Sequence, residues 1–343
     1  MIGVRWDQKI YPPVKIARVV DALGAEGVPI NEALQGTQLT EGQLRSPNTL
    51  VSVNQVIESY RNAMRLTRNP DFAYRTGLKS HVASYGMYGF AILSGTNFRE
   101  TMKFVVKYHH LATPVVRLRF EETPTHGVWI IDPLPHPAID RSLYRFIVEM
   151  QFGAHIALHR DIMGSAFAPS KLHMTFSAHE SNVPFEQNVG CPCRREQPEN
   201  RLMFDAPWLN AEPVFGNDIA YASVVGLCDE LEKELAQRVG VAEQVRQTLL
   251  ATIGRRTGFN EIARQLGMPA RTLRRKLQEQ GTSFGELIGE LKSHIAIKYL
   301  RDTQMTVEDI ATAVGFSDSA NFRQTFRRWT KTTPQDFRRM IGS

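Results

Sequence analysis

Two copies of one pattern lie within the last hundred residues of the chain. Ile262-Ala263-x-x-Leu266-Gly267, in "IARQLGMPARTLRRKL", aligns with Ile310-Ala311-x-x-Val314-Gly315, in "IATAVGFSDSANFRQTF". Each copy predicts a short amphipathic helix ended by a glycine that can take positive φ, as a tight helix-to-helix turn requires. Beyond each turn, apolar pairs four residues apart, Leu273 with Leu277 and Phe322 with Phe326, mark the buried stripe of a second helix. The second turn holds one extra residue, so the offset between copies grows from 48 to 49. This is helix-turn-helix grammar written twice, and it fixes the last third of the chain as all-α.

The polar residues then fall into place at 100° per residue. Opposite Leu273 and Leu277 the first helix presents Arg271, Arg274, Arg275 and Gln278, with Thr272 beside them. Opposite its phenylalanines the second presents Ala320, Arg323, Gln324 and Arg327. Arginine pairs bidentately with guanine O6/N7, and asparagine or glutamine with adenine N6/N7, so such faces suit major-groove readout of double-stranded DNA. Any one of these arginines alone would read as a solvated surface residue; two matched sets on two repeated motifs do not. Between the motifs, "SFGELIGELKSHIAIKYLRD" has an apolar stripe at Phe284, Leu287, Ile288, Leu291 and Ile295. It predicts one helix of about 20 residues, near 30 Å long. A rod of that length can hold two recognition helices about one DNA turn apart, so that one chain reads two successive major grooves.

Charge supports that division of labour. From Val241 onward there are 17 basic and 10 acidic residues, whereas residues 1–240 hold 24 and 25, so the whole formal excess of +6 belongs to the C-terminal third. A polyanionic partner is expected for that third alone.

The preceding part reads as α+β: helices first, then a small antiparallel sheet. Helices are expected over "PPVKIARVVDALGAEGV", with a stripe at Val14, Val19 and Leu23, and over "VSVNQVIESYRNAMRLTRNPD", "TNFRETMKFVVKYHHL" and "RSLYRFIVEMQFGAHIALHRDIMG". "PVVRLRFEE", "HGVWIID", "KLHMTFS" and "NRLMFD" have strand character, the last two separated by a short helical stretch and a Cys-Pro-Cys turn. Helix resumes from Asn217 to about Arg255, and the turn around Gly240 is the expected boundary between domains 1–240 and 241–343. Residues 80–98 carry no Asp, Glu, Lys or Arg, but Gly, Ser, Thr, Asn and His interrupt them, which favours a buried helix with its loops over a membrane span. Three cysteines, with no secretory signal pattern at the N-terminus, point to a reducing compartment, the cytoplasm.

With these residues in view, the C-terminal part resembles the DNA-binding domain of AraC/XylS-type transcription regulators. The match runs from "FNEIARQLGMPARTLRRKLQEQGTSFGEL" through the linker to "TVEDIATAVGFSDSANFRQTFRRWTKTTPQDFR". The N-terminal part resembles the arabinose-binding-type effector domain of one branch of that family, in "GMYGFAILSGTNFRETMKFVVKYHHLATPVVRLRFEE" and "GCPCRREQPENRLMFDAPWLN". Carried over by position, the resemblance implies base-facing roles for Arg271, Arg274 and Arg275 in the first motif and for Ala320, Asn321 and Gln324 in the second. The family often has arginine at the position of Gln324, so adenine or phosphate contact is expected there rather than guanine reading. Pro334 and Phe337 are implied to be structural.

An effector domain needs a concave, largely apolar pocket with a few polar groups, and Tyr85, Tyr88, Tyr108, Arg117 and Arg145 are the candidate contributors. His155 and His159 have helical metal-ligand spacing without the glutamate of a zincin motif, and the Cys191-Pro-Cys193 pair lacks a second pair, so no metal site and no cofactor are expected. His109-His110 suits the C-terminal end of a helix. No nucleophile elbow, P-loop or dinucleotide fingerprint is present, which sets enzymatic function aside. The expectation is a cytoplasmic transcription activator, homodimeric, controlled by a small-molecule effector, with DNA and RNA polymerase as partners. The alternative is a constitutive DNA-binding regulator whose N-terminal domain only dimerises or contacts another protein.

Overall fold

The computed structural model describes residues 6–112, 115–178, 185–251 and 258–342. The chain packs as two units, Arg5–Leu134 with Ser142–Glu232, and Lys233–Ser343 with Pro135–Arg141.

In the first unit, local signals set the helix ends and apolar stripes set the packing. Ser52 and Gln55 form a reciprocal capping box that opens the helix Val53–Leu66, whose Val56, Ile57, Tyr60 and Ala63 are buried against the helix Val14–Gly24. Amides on the same helix satisfy carbonyls of the preceding loop. Asn62 Nδ2 donates to Gln35 O at 2.6 Å and Gln55 Nε2 to Thr37 O at 2.7 Å. The uncharged stretch resolves into a 3-10 turn, Val82–Tyr85, and a helix of nine residues, Gly86–Ser94. Among the described residues no helix is long and apolar enough to cross a membrane.

The sheet holds five strands: β1 (Val116–Glu122), β2 (His126–Pro133), β3 (Lys171–His173), β4 (Cys193–Arg194) and β5 (Arg201–Asp205), in the order β1-β2-β5-β3-β4. Val128, Trp129, Ile130 and Ile131 of β2 are all buried, which explains why that strand reads as a continuous apolar run rather than an alternation. Phe120 and Trp129 stand opposite each other across β1 and β2 with ring centroids 4.9 Å apart. Two details differ from the expected sheet. The Cys-Pro-Cys segment is not only a turn, because Cys193 opens β4, which runs parallel to β3 while the other pairs are antiparallel. The strand expected over "KLHMTFS" is three residues long. At Thr175 the N–H donates to the Asn200 side chain at 3.0 Å, so the ladder is replaced by a side-chain contact.

The helix Arg141–Met163 meets the helix Phe72–Leu78 backbone to backbone. A Cβ built on Gly153 would lie 2.2 Å from Tyr74 O, and one on Gly77 2.1 Å from Met150 O, so only glycine permits this crossing.

The last helix of this region, Asp218–Ala251, leaves helical geometry at Gly240 (φ 71°, ψ −171°), so the turn expected there is a kink within a hydrogen-bonded run. Its expected end near Arg255 lies outside the described residues. Short helices follow, as the sequence indicated: Phe259–Gln265, Ala270–Glu279, Phe284–Asp302, Val307–Ala313, Ser319–Thr330 and Pro334–Gly342.

Candidate functional site

The two motifs are built on one shared rod. Gly267 (φ 63°) and Gly315 (φ 77°) make the positive-φ turns that end the first helix of each motif. Leu273 and Leu277 are buried in one core with Val241, Val245, Ile262 and Leu287; Phe322 and Phe326 are buried in another with Ile297, Leu300, Ile310 and Phe337. The linker helix Phe284–Asp302 contributes to both. Its first half faces the first core through Phe284, Leu287, Ile288 and Leu291, its second half faces the other through Ile295, Ala296, Ile297 and Leu300. The stripe read from sequence stopped at Ile295, because past that point the apolar face turns toward the second motif. At 1.5 Å per residue this helix is about 28 Å long. A Ser283/Glu286 capping box fixes its start. Glu290 pairs with the buried Arg246 guanidinium at 2.8 Å, and Lys292 Nζ donates to Gly315 O at 3.0 Å while lying 4.6 Å from the Phe316 ring centre.

With their apolar faces committed to the cores, the recognition helices leave their polar faces outward. Arg271, Arg274, Arg275 and Gln278 are exposed and Thr272 is half-buried; Ala320, Asn321, Arg323, Gln324 and Arg327 are all exposed. Several have local partners that position them without burying them. Arg274 stacks over the Phe259 ring at 5.3 Å, Arg275 pairs with Glu279 one turn on, and Arg323 pairs with Glu308. Such exposed pairs are weak and exchangeable for phosphate oxygens. Asp318 caps the second recognition helix by accepting from Asn321 N–H at 2.7 Å; that bond and the Ser317 hydroxyl hold its carboxyl below the usual range. Pro334 and Phe337 are buried, Phe337 with its ring 5.6 Å from that of Phe326.

The first unit contains a cavity, part of it open to solvent, walled by Val82, Ile92, Met102, Trp129 and Ile162 among others. Of the expected effector contacts, Tyr85 and Tyr88 line it. Tyr108, Arg117 and Arg145 are not among its lining residues and have other partners. The Tyr108 hydroxyl bonds Asp229 and accepts from Lys107 Nζ at 2.6 Å. Arg117 pairs with Asp132 opposite it on β2 at 3.0 Å, and Arg145 with the buried Glu149 one turn along its helix at 3.6 Å. The spacing that drew attention to His155 and His159 has another use. Both line the cavity; His159 Nδ1 donates to His155 O at 2.6 Å and its Nε2 accepts from Trp129 Nε1 at 2.9 Å. Burial drives both imidazoles toward neutrality, His155 down to about 4 and His159 to about 3. Among the described residues no group of three potential metal ligands gathers.

Sequence reasoning overlooked Lys15. Its signal was a lysine in register with Val19 and Leu23 on an apolar stripe, and the structure places it in the cavity wall, buried. Burial lowers its pKa, against a smaller opposing effect of Tyr85.

Comparison with known proteins matches this geometry to a family. The model for the N-terminal arabinose-binding domain of AraC transcription regulators matches residues 27–213, and a helix-turn-helix domain model matches residues 262–340. The chain is 26% identical to a helix-turn-helix-type transcriptional regulator of Mycobacterium tuberculosis, over 96% of this chain and 97% of that protein. It is 23% identical to the ornithine utilization regulator of Pseudomonas aeruginosa, over 96% of each. The crystal structure of the transcriptional regulator CdpR from Pseudomonas aeruginosa shares the fold, with a TM-score of 0.50 at 20% identity over 97% of this chain and 100% of that one. A doubled helix-turn-helix on a shared linker, behind an arabinose-binding-type domain, therefore identifies this chain as a DNA-binding transcription regulator of the AraC family.

Proposed function

We propose that the chain is a cytoplasmic, effector-controlled activator in which residues 1–240 bind a small molecule and dimerise while residues 241–343 bind DNA. The single observation that carries the DNA-binding part is the pair of exposed polar, arginine-bearing helix faces mounted on one linker helix that serves both cores. In this reading Arg271, Arg274, Arg275 and Gln278 enter one major groove, and Asn321, Arg323, Gln324 and Arg327 the next, with Thr272 and Ala320 alongside. Effector control is supported by the cavity, which combines an apolar wall with a few polar groups. Dimerisation is supported by Ile219, Leu227 and Leu231, which recur at helical spacing on the helix Asp218–Ala251 and are exposed. Effector binding changes the affinity for DNA, and RNA polymerase is the downstream partner; control of this kind requires the ligand to bind two states of the protein unequally.

The test is fluorescence anisotropy of the intact chain on an operator obtained by selection, with and without a compound that raises its melting temperature. Effector control predicts a change of about tenfold in DNA affinity, corresponding to about 1.4 kcal/mol of coupling. Unchanged affinity would make the chain a constitutive DNA-binding regulator.

A further inference from the structure

Lys15 is a charged group in the cavity wall that the fold does not account for. It is 7% exposed, and among the described residues it makes no hydrogen bond and no ion pair. None of the residues that line the cavity is an aspartate or glutamate. An ammonium group withdrawn from water without a counter-ion is strongly unfavourable, so a chain that keeps one against an apolar wall leaves it to be neutralised by something that enters.

The surrounding groups narrow what enters. Three histidines line the same cavity, and each commits a ring N–H to the backbone. His155 donates to Gln151 O at 2.8 Å, His159 to His155 O at 2.6 Å and His109 to Val116 O at 3.0 Å. They are held as neutral rings and supply no second cation. Arg18, one turn from Lys15, lies over the Tyr85 ring at 5.9 Å and is not among the lining residues. Tyr85 does line the cavity, and a phenol hydroxyl can donate its proton to an anion. Apart from the Gln151 amide, the rest of the wall is largely hydrocarbon and aromatic, as at Val82, Ile92, Met102, Trp129 and Ile162. A sugar would leave most of its hydroxyls unpaired there. A cationic amino acid would place its ammonium near Lys15 with no carboxylate to receive it.

We infer that the cavity takes an organic monocarboxylate with an alkyl or aromatic body, its carboxylate paired with Lys15 Nζ and hydrogen-bonded by the Tyr85 hydroxyl. The inference rests on the effector reading above and names the chemical class that the site accepts. Lys15 precedes residues 27–213, the region matched by the family model, so that resemblance does not assign it.

Titration calorimetry of the intact chain tests this with octanoate and 3-phenylpropanoate as probes and octanamide, L-ornithine and L-arabinose as controls. The expected result is saturable binding of at least one carboxylate, at least tenfold weaker binding of the amide, and none of ornithine or arabinose. Lys15→Met should weaken carboxylate binding at least tenfold without weakening the amide, and its ligand-free melting temperature should be unchanged or higher, because an unpaired buried charge is gone. Lys15→Gln provides the same comparison if the methionine variant does not fold. Absence of carboxylate binding, undiminished carboxylate binding in the variants, stronger binding of ornithine or arabinose, or a lowered melting temperature in both variants would overturn the inference. DNA anisotropy on the same samples separates it from the effector reading. Carboxylate binding through Lys15 with unchanged DNA affinity keeps the site and removes effector control; a change in DNA affinity with ornithine or arabinose alone keeps effector control and removes the carboxylate.

Discussion

Gly240→Ala should loosen the first helix-turn-helix core even though it touches neither motif's turn. Gly240 sits at φ 71° and ψ −171°, a region essentially restricted to glycine. Holding alanine there costs about 1–3 kcal/mol. The new Cβ would also lie 1.8 Å from Gln280 Nε2. That side chain can swing away, but it then gives up the bond its Oε1 accepts from Ala242 N–H at 2.9 Å, worth about 1 kcal/mol. The total is about 2–4 kcal/mol, felt where Val241, Ala242, Val245 and Leu249 join Ile262, Leu273 and Leu277. Gln280→Ala alone should cost about 1 kcal/mol, and the double variant no more than Gly240→Ala, because the amide contact is lost only once. Hydrogen exchange of the intact chain, read over 241–251 and 270–279, reports these opening energies directly. A Gly240→Ala protein within about 0.5 kcal/mol of the parent, or strictly additive costs in the double variant, would refute the reasoning.

Other perturbations probe separate parts. Gly153→Ala sets a methyl against the Tyr74 carbonyl, which cannot yield, and should destabilise the first unit by about 3 kcal/mol in urea unfolding; a parent-like midpoint would contradict the close crossing. Lys292→Ala removes the bond to Gly315 O and the contact with the Phe316 ring, so exchange over 307–326 should speed up by about 1–2 kcal/mol while 259–279 stays protected; equal loosening of both motifs would argue against a local clamp. His155 and His159 titrate near 6.5 when unfolded but near 4 and 3 when folded, so the unfolded chain takes up protons first on acidification. Their contribution to stability is present above about pH 6.5 and falls with pH below it, by about 1 kcal/mol per unit for each ring, until the folded values are reached. Urea titrations from pH 7 to 5 should show that slope, and it should flatten in His155→Gln and His159→Gln.

Helical periodicity carried most of what the sequence disclosed. Leu273 and Leu277, Phe322 and Phe326, and the two turn glycines are separated by three or four residues from the groups they cooperate with, so spacing alone exposes them. The outward arginines followed because the inward positions were fixed. The second half of the linker was harder, since Ala296, Ile297 and Leu300 turn to a different core from Leu287, and one stripe cannot describe a helix that serves two. Nor could composition separate cavity tyrosines from structural ones. Tyr108 is occupied by Asp229, more than a hundred residues away, and such a pairing has no local signature. The same holds for the parallel β3–β4 pair, too short to leave a period. Lys15 was legible as a charge on an apolar stripe, but only the fold shows that the stripe faces a cavity at that point.

The most direct measurement is a selection of binding sites from a random duplex pool by the intact chain, repeated with Arg275→Ala and Gln324→Ala. Two grooves read by one chain predict two preferred blocks about 10 base pairs apart. Arg275→Ala should relax preference at about one base pair in one block, weakening such sites by about 1–3 kcal/mol, and Gln324→Ala should act only in the other. A single block, or loss spread evenly over specific and random DNA in both variants, would contradict the account.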